Sequence, residues 1–196
     1  MWAEIFDFLT TTAAVACCSA AVKLADDYLD KEYDVIVGKT NWAIIFDKGT
    51  MLYAMFLLAL AAGINTALSL SLFFSSYIVG MFNNMRLRFP SRLNGFQESL
   101  VVFAVGIMLF SWNYMIFSLS FVFAVQLFDD YLDADSDSIS GQRNLANRYG
   151  KIECLLACVI CLLIAWTGGE RLFLPALAGA AIIYLLSFRT GKVGVW

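Results

Sequence analysis

The sequence predicts an all-α protein: a polytopic transmembrane helix bundle of about seven spans, a single domain over residues 1–196 with repeat-like halves at about 1–95 and 96–196. Three observations predict it. Of the 196 residues, 61% are hydrophobic and only 15% charged, a composition foreign to soluble domains. The apolar residues gather in four runs, at roughly 3–25, 50–82, 96–128 and 152–188. The segment DDYLDKEYD, Asp26–Asp34, returns 103 residues later as DDYLDADSD, Asp129–Asp137.

The first run suits one crossing. Its start, MWAEIFDFLTTTAAVACC, is acidic where a secretory signal is basic, so the segment reads as a retained first span. The other three runs each exceed 30 residues, too long for one crossing of a hydrocarbon layer about 30 Å thick. Each holds a break near its middle: Gly63-Ile64-Asn65, Ser111-Trp112-Asn113 and Thr167-Gly168-Gly169-Glu170. Three helical hairpins follow, with helices of about 15–18 residues that must tilt or thin the bilayer. The five cysteines, Cys17, Cys18, Cys154, Cys158 and Cys161, all fall inside apolar runs. No histidine is present to complete a mixed metal site, so they read as small buried thiols.

Basic residues test this arrangement. It places Lys31, Lys39, Lys48, Arg86, Arg88, Arg92, Arg143, Arg148, Lys151, Arg189 and Lys192 on one side and only Arg171 on the other, with Lys23 inside the first span. By the positive-inside rule the rich side is cytoplasmic, and the Asp motifs of this multi-pass integral membrane protein face it. Thirteen Lys and Arg against sixteen Asp and Glu leave a formal charge of −3, which points to no nucleic-acid partner. Distribution says more than the sum, because ten of the sixteen acids lie in the two quoted segments.

Residues 26–43 and 129–146 share ten identities in eighteen positions, the mark of an internal duplication. On a helix Asp27, Asp30 and Asp34 project from one side, and Asp130, Asp133 and Asp137 repeat the spacing. Like charges at a membrane boundary repel and resist desolvation unless cations neutralise them. Hard divalent cations take oxygen ligands, and Mg²⁺ keeps waters while bridging one or two carboxylates to phosphates. Two such clusters suggest a Mg²⁺-diphosphate clamp. Arg86, Arg88 and Arg143 follow apolar helices where guanidinium groups could close on phosphate oxygens, with Lys39 a weaker counterpart in the first copy. The stretch DADSDSISGQRN imitates the opening of an EF-hand loop, but Ser138 stands where that loop needs Gly and Asn144 where it needs Glu.

These motifs resemble the UbiA superfamily of intramembrane prenyltransferases. That family's N/D-D-x-x-D-x-x-x-D motif is matched by Asp26, Asp27, Asp30 and Asp34, and its second acidic motif by Asp129, Asp130, Asp133 and Asp137. The segment FNNMRLRFPSRLNGFQESL is similar to the family's Tyr-Ser/Asn, Leu-Lys/Arg, Gly-x-x-Glu segment, with Asn83, Arg86, Arg88, Gly95 and Glu98 at the matching places. GQRNLANRYGK is similar to a run found in quinone-pathway members. The resemblance implies that all eight aspartates bind Mg²⁺, with Asp27, Asp30, Asp130 and Asp133 catalytic. It implies that Arg86, Arg88, Arg143, Lys39 and Asn83 hold an isoprenyl diphosphate. Family members usually carry nine spans, and here the usual opening helix and a closing one are missing.

The expected activity is Mg²⁺-dependent transfer of an isoprenyl group, through an allylic carbocation, to a hydrophobic acceptor such as an aromatic or quinone precursor within the bilayer. Phe74, Tyr77, Phe103, Trp112, Tyr114 and Phe121 are candidate walls for the cation. A terpene cyclase of the same superfamily, which needs no acceptor, is the alternative enzyme. A lipid- or cation-binding subunit without catalysis is the alternative from another class, and two complete acidic motifs argue against it.

Overall fold

The computed structural model describes residues 2–38, 40–140 and 144–193, and among the described residues there is no strand. Helix α1, Trp2–Val37, does not stop with the apolar run near residue 25 but carries on through the whole first acidic motif. The Lys23–Asp27 pair, one turn apart at 2.9 Å, supports this extension. Gly38, at φ +77°, ends the helix in a left-handed conformation that costs glycine nothing. After it come the short helix α2, Trp42–Phe46, a tight turn at Asp47–Gly49, and α3, Thr50–Ile64.

Each long apolar run breaks where a polar or glycine residue interrupts it. Asn65 is extended and its side chain accepts from Leu68 N, so it closes α3 and caps α4, Thr66–Gly80. Ser111, at φ +83°, separates α5, Gly95–Phe110, from α6, Trp112–Ser140. Asn94 and Gln97 form a reciprocal capping box at the start of α5. Gly150, at φ +112°, lies between the short helix α7, Leu145–Tyr149, and α8, Lys151–Gly168. Gly169 then interrupts the chain before α9, Glu170–Val193. All three breaks coincide with those the sequence predicts.

Five segments are long and apolar enough to cross a membrane: Trp2–Ile36, Trp42–Ile64, Trp112–Asp135, Lys151–Gly168 and Glu170–Arg189. Helices α4 and α5 are apolar but shorter, and at 1.5 Å per residue they reach about 23 Å, less than the hydrocarbon thickness of about 30 Å. The chain therefore has the build of an integral membrane protein.

The chain divides into two compact units, Met1–Ser69 with Arg171–Trp196, and Leu70–Glu170. The last helix groups with the first. In the first unit α1 packs on α2 and α3, and its buried face is made largely of small residues: Ala14, Val15, Cys18, Ala21 and Leu24. Gly179 of α9 lies so close to α1 that a Cβ there would sit 2.7 Å from Thr12 O and 3.0 Å from Ala16 N. Lipid tails are as apolar as leucine, so membrane helices hold together by such close approach rather than by expulsion of water.

In the second unit α6 packs on α7 and α8 around Ala124, Leu127, Ala134, Ala146, Cys154 and Cys158. The two thiols donate to Leu127 O at 3.2 Å and Ala124 O at 3.3 Å, so the buried cysteines act as short interhelical donors. Ser71 and Ser118 share a buried hydrogen bond of 2.7 Å.

The glycines give a test of this packing. Gly179→Ala should destabilise the purified protein by about 1–3 kcal/mol, because backbone rather than a flexible side chain stands in the way. Gly63→Ala meets nothing within 4 Å and should be neutral or gain up to about 1 kcal/mol of helix propensity. Thermal unfolding of both variants in detergent checks the pair; equal melting temperatures would show that α1 and α9 are not in tight contact.

Candidate functional site

The acidic motifs occupy the C-terminal ends of α1 and α6, one in each unit, and each is tied to the loop that follows by one asparagine. Asn41 donates through Nδ2 to Asp27 O at 3.1 Å and to Asp34 Oδ2 at 2.7 Å, while its Oδ1 accepts from Ile44 N at 2.8 Å and caps α2. Asn144 donates to Asp130 O and to Asp137 Oδ2, both at 2.8 Å, while its Oδ1 accepts from Ala146 N at 2.8 Å and Asn147 N at 3.2 Å and caps α7. An asparagine can do both jobs because its amide offers two donors and a carbonyl acceptor on one short stem.

Two more contacts recur. Asp27 Oδ2 accepts from Trp42 N and Asp130 Oδ2 from Leu145 N, both at 2.9 Å. The opposite oxygens accept from the side chain one turn earlier, Lys23 at 2.9 Å in one case and Gln126 at 3.0 Å in the other. Lys23 and Gln126 stand 103 positions apart, the same offset as the motifs. Asp27, Asp130 and Asp137 are buried, and Asp34 is half-buried. Hydrogen bonds to ionised groups of this kind contribute about 1.5–3 kcal/mol each.

Asp26, Asp30 and Asp133 are exposed and Asp129 is half-buried, with Asp26 and Asp30, and again Asp129 and Asp133, one turn apart on the helix surface. An ion pair also joins each helix end to residues sixteen positions along the chain: Lys31 to Asp47 at 2.6 Å, and Asp135 to Lys151 at 2.7 Å with the charges exchanged. Both pairs are solvent-facing and add little stability.

Arg86 and Arg88 are exposed on the loop between α4 and α5. The loop is closed by backbone bonds from Gly95 N to Leu87 O and Phe96 N to Met85 O, each 3.2 Å, and from Phe89 N to Leu93 O at 3.0 Å. Glu98, in the first turn of α5, accepts from Tyr77 Oη on one carboxylate oxygen and from Ser91 Oγ on the other. One carboxylate thus ties α4, the loop and α5 together. Of the candidate wall aromatics, Tyr77 has its hydroxyl committed to Glu98, and Phe121 is buried and stacked on Phe117. Phe74 meets Phe110 edge-on, as Phe103 meets Trp112.

Lys39 and Arg143 lie outside the described residues, as does the side chain of Asn83. Among the described residues no three acidic or thiol side chains gather as a ligand set. The donor chemistry therefore does not suit a closed all-protein cage.

Sequence reasoning passed over Asn41, Asn144, Gln126 and the Tyr77–Ser91 grip on Glu98. The two asparagines had a signal: each is an identity between the two segments and stands just before a short apolar stretch, where helix caps are found.

Compared with family models, curated proteins and solved structures, the chain matches none. Its function must be argued from its own residues.

Loosening the Glu98 tie should free the arginine loop. Tyr77→Phe and Glu98→Gln should raise the rate of tryptic cleavage at Arg86, Arg88 or Arg92 several-fold in detergent, since proteolysis follows local opening. A cleavage rate equal to the parent's would show that the backbone bonds alone hold the loop.

Proposed function

We propose that the chain is a Mg²⁺-dependent intramembrane prenyltransferase of the UbiA type, built by internal duplication as about seven spans with both acidic motifs at the cytoplasmic face. The observation that carries this reading is the recurrence of one acidic helix end, with the same asparagine contacts, at two places 103 residues apart. A single charged helix end needs no ligand. Two matched ones, with exposed carboxylates one turn apart and exposed arginines nearby in sequence, suit a substrate that brings phosphate charge to the membrane surface and an apolar chain into it.

Asp26–Asp34 and Asp129–Asp137 would hold Mg²⁺, which when bound supplies positive charge against the diphosphate as it departs. The arginines would donate hydrogen bonds to phosphate oxygens and stabilise the leaving group. The allylic C–O bond breaks with its electron pair going to the diphosphate. The acceptor carbon supplies the pair for the new bond and then loses a proton. Apolar side chains would exclude water from the allylic cation, and aromatic faces would favour its charge. Without an acceptor, a double bond of the same chain would attack instead, which is the cyclase outcome.

The decisive experiment incubates purified protein with Mg²⁺ and a panel of prenyl diphosphates, measures diphosphate release and identifies the extracted product by mass spectrometry. Release that depends on an added aromatic or quinone precursor is expected; a cyclised product without acceptor means the cyclase, and no release from any substrate removes the enzymatic reading. Asp30→Asn and Asp133→Asn should each abolish release at unchanged thermal stability. Near-parental turnover in either would separate the two motifs functionally.

Arg86→Ala and Arg88→Ala should each weaken prenyl diphosphate binding by roughly ten- to a hundredfold, the worth of a charge-assisted contact of about 1.5–3 kcal/mol. Lysine at either position should recover part of that loss, because charge returns without the bidentate geometry. Normal binding in both alanine variants would leave these arginines as topology anchors only. Cysteines placed at Ser91 and Ser136 should react with impermeant reagents from the cytoplasmic side, and labelling only from the outer side would reverse the assigned orientation.

A further inference from the structure

We propose that the lipid partner of this chain is a bilayer thinner than average, made of phospholipids with short acyl chains. The inference rests on helix lengths, charges and exposed apolar side chains, and it is independent of the proposed function.

A helix crosses an ordinary hydrocarbon layer of about 30 Å with about 20 apolar residues. Among the described residues no helix of this chain has that many in a row without a charge. The uncharged stretches are Phe8–Val22 in α1, Thr50–Ile64 in α3 and Cys154–Gly168 in α8, fifteen residues each. They reach seventeen in α6, Trp112–Phe128, and in α9, Leu172–Phe188, and only twelve in α5, Ser99–Phe110. Helix α4 and the 3₁₀ turn after it run from Thr66 to Phe82, seventeen again, before Asn83 and Asn84. At 1.5 Å per residue, or 2.0 Å in the 3₁₀ turn, these stretches span about 18–27 Å.

The two longest helices show that this is not a matter of helix length. Helix α1 has 36 residues and α6 has 29, room enough for a full crossing without charge. Yet Asp7 and Lys23 bracket the apolar part of α1, and Asp129 ends that of α6. Two tryptophans mark the same distance. Tryptophan concentrates at the membrane–water interface. Exposed Trp112 opens α6 seventeen residues before Asp129, and exposed Trp166 stands fifteen residues after Lys151 in α8. The two separations are about 26 and 23 Å along the helix.

A helix too short for its bilayer is accommodated by snorkelling of flanking side chains, by oligomerisation or by thinner lipid, and tilting only reduces its reach. Snorkelling needs long flexible side chains, and the turns at Asn65, Ser111 and Gly169 offer none. Turn backbone also carries polar groups that hydrocarbon cannot satisfy, so these turns must stand outside it. An oligomer would hide part of the apolar surface, but large side chains are exposed on α3, α5, α8 and α9 alike, among them Phe56, Met108, Leu163 and Leu185. Short acyl chains remove the mismatch on every helix at once.

Vesicles of monounsaturated phosphatidylcholines of graded chain length, from dimyristoleoyl through dioleoyl to dierucoyl, test the proposal on the purified full chain. Relative binding constants are read from the quenching of tryptophan fluorescence by brominated dioleoyl lipid in competition with each member of the series. Dimyristoleoyl lipid should bind a few-fold more tightly than dioleoyl, and dierucoyl most weakly. An optimum at dioleoyl or longer, or equal constants throughout, would overturn the proposal.

A second arm maps the apolar layer along α8. Spin labels are attached at Ile152→Cys, Ile160→Cys or Thr167→Cys, all exposed positions, in a chain whose half-exposed thiols are removed by Cys17→Ala and Cys161→Ala. In dimyristoleoyl vesicles the labels at 152 and 167 should both meet an aqueous nickel chelate, while the label at 160 meets dissolved oxygen alone. Hydrocarbon depth at either end, in the shortest bilayer of the series, would mean that the apolar layer outreaches the helix and would overturn the match.

Discussion

Everything at the candidate site depends on one kind of bond, an asparagine amide held by an aspartate carboxylate in the last turn of a long helix. Helices α1 and α6 run for 36 and 29 residues, well beyond the apolar layer, and the chain must then turn back so that α3 and α8 can pack against them. That return leaves the first N–H groups of α2 and α7 without helical partners. In both places the asparagine carbonyl satisfies one or two of them, the aspartate carboxylate satisfies another, and the amide ties the loop to the helix it has just left. Removal of either partner takes a donor or acceptor from polar groups that are buried or half-buried, so one side chain helps to fix the turn.

Within each unit the packing answers a different constraint. Where lipid replaces water, burying leucine gains little, and helices associate where their backbones can approach and where a weak donor finds a carbonyl. The buried faces show both devices. Alanine and glycine line the approach of α1 to α3 and α9, and Cys18, Cys154 and Cys158 donate to Ser69 O, Leu127 O and Ala124 O at 3.2–3.3 Å. The large apolar side chains mostly turn outward, as on α8, where Ile152, Leu156, Ile160 and Leu163 are exposed.

Much of the fold was legible because hydropathy and helix breakers are local signals. Asn65, Ser111 and Gly169 interrupt long apolar runs where the helices do break, and the acidic residues at i, i+3 and i+7 do lie on helices. What the sequence hid is non-local. Hydropathy ends the first span near residue 25, yet α1 continues to Val37 because its charged turns are stabilised by contacts with Asn41 and Trp42 further along. Gly179 fits α9 against α1, an approach between residues far apart in the chain. The arrangement around Glu98 was equally invisible, since Tyr77, Ser91 and Glu98 are brought together only when the loop closes.

The eight motif aspartates cannot all be read alike, and the reason is electrostatic. A carboxylate that gives up water at a membrane boundary must be repaid in hydrogen bonds or in positive charge. Asp27, Asp34, Asp130 and Asp137 receive hydrogen bonds from groups fixed by the fold. Lys31 and Lys151 are turned instead toward Asp47 and Asp135, at the outer edge of each turn. A helix end that needed only solubility could alternate lysine with glutamate at these positions and gain stability from it. The chain twice sets like charges one turn apart instead, next to carboxylates already held by the turn that follows, so the two acidic helix ends share one plan of hydrogen bonding as well as one sequence.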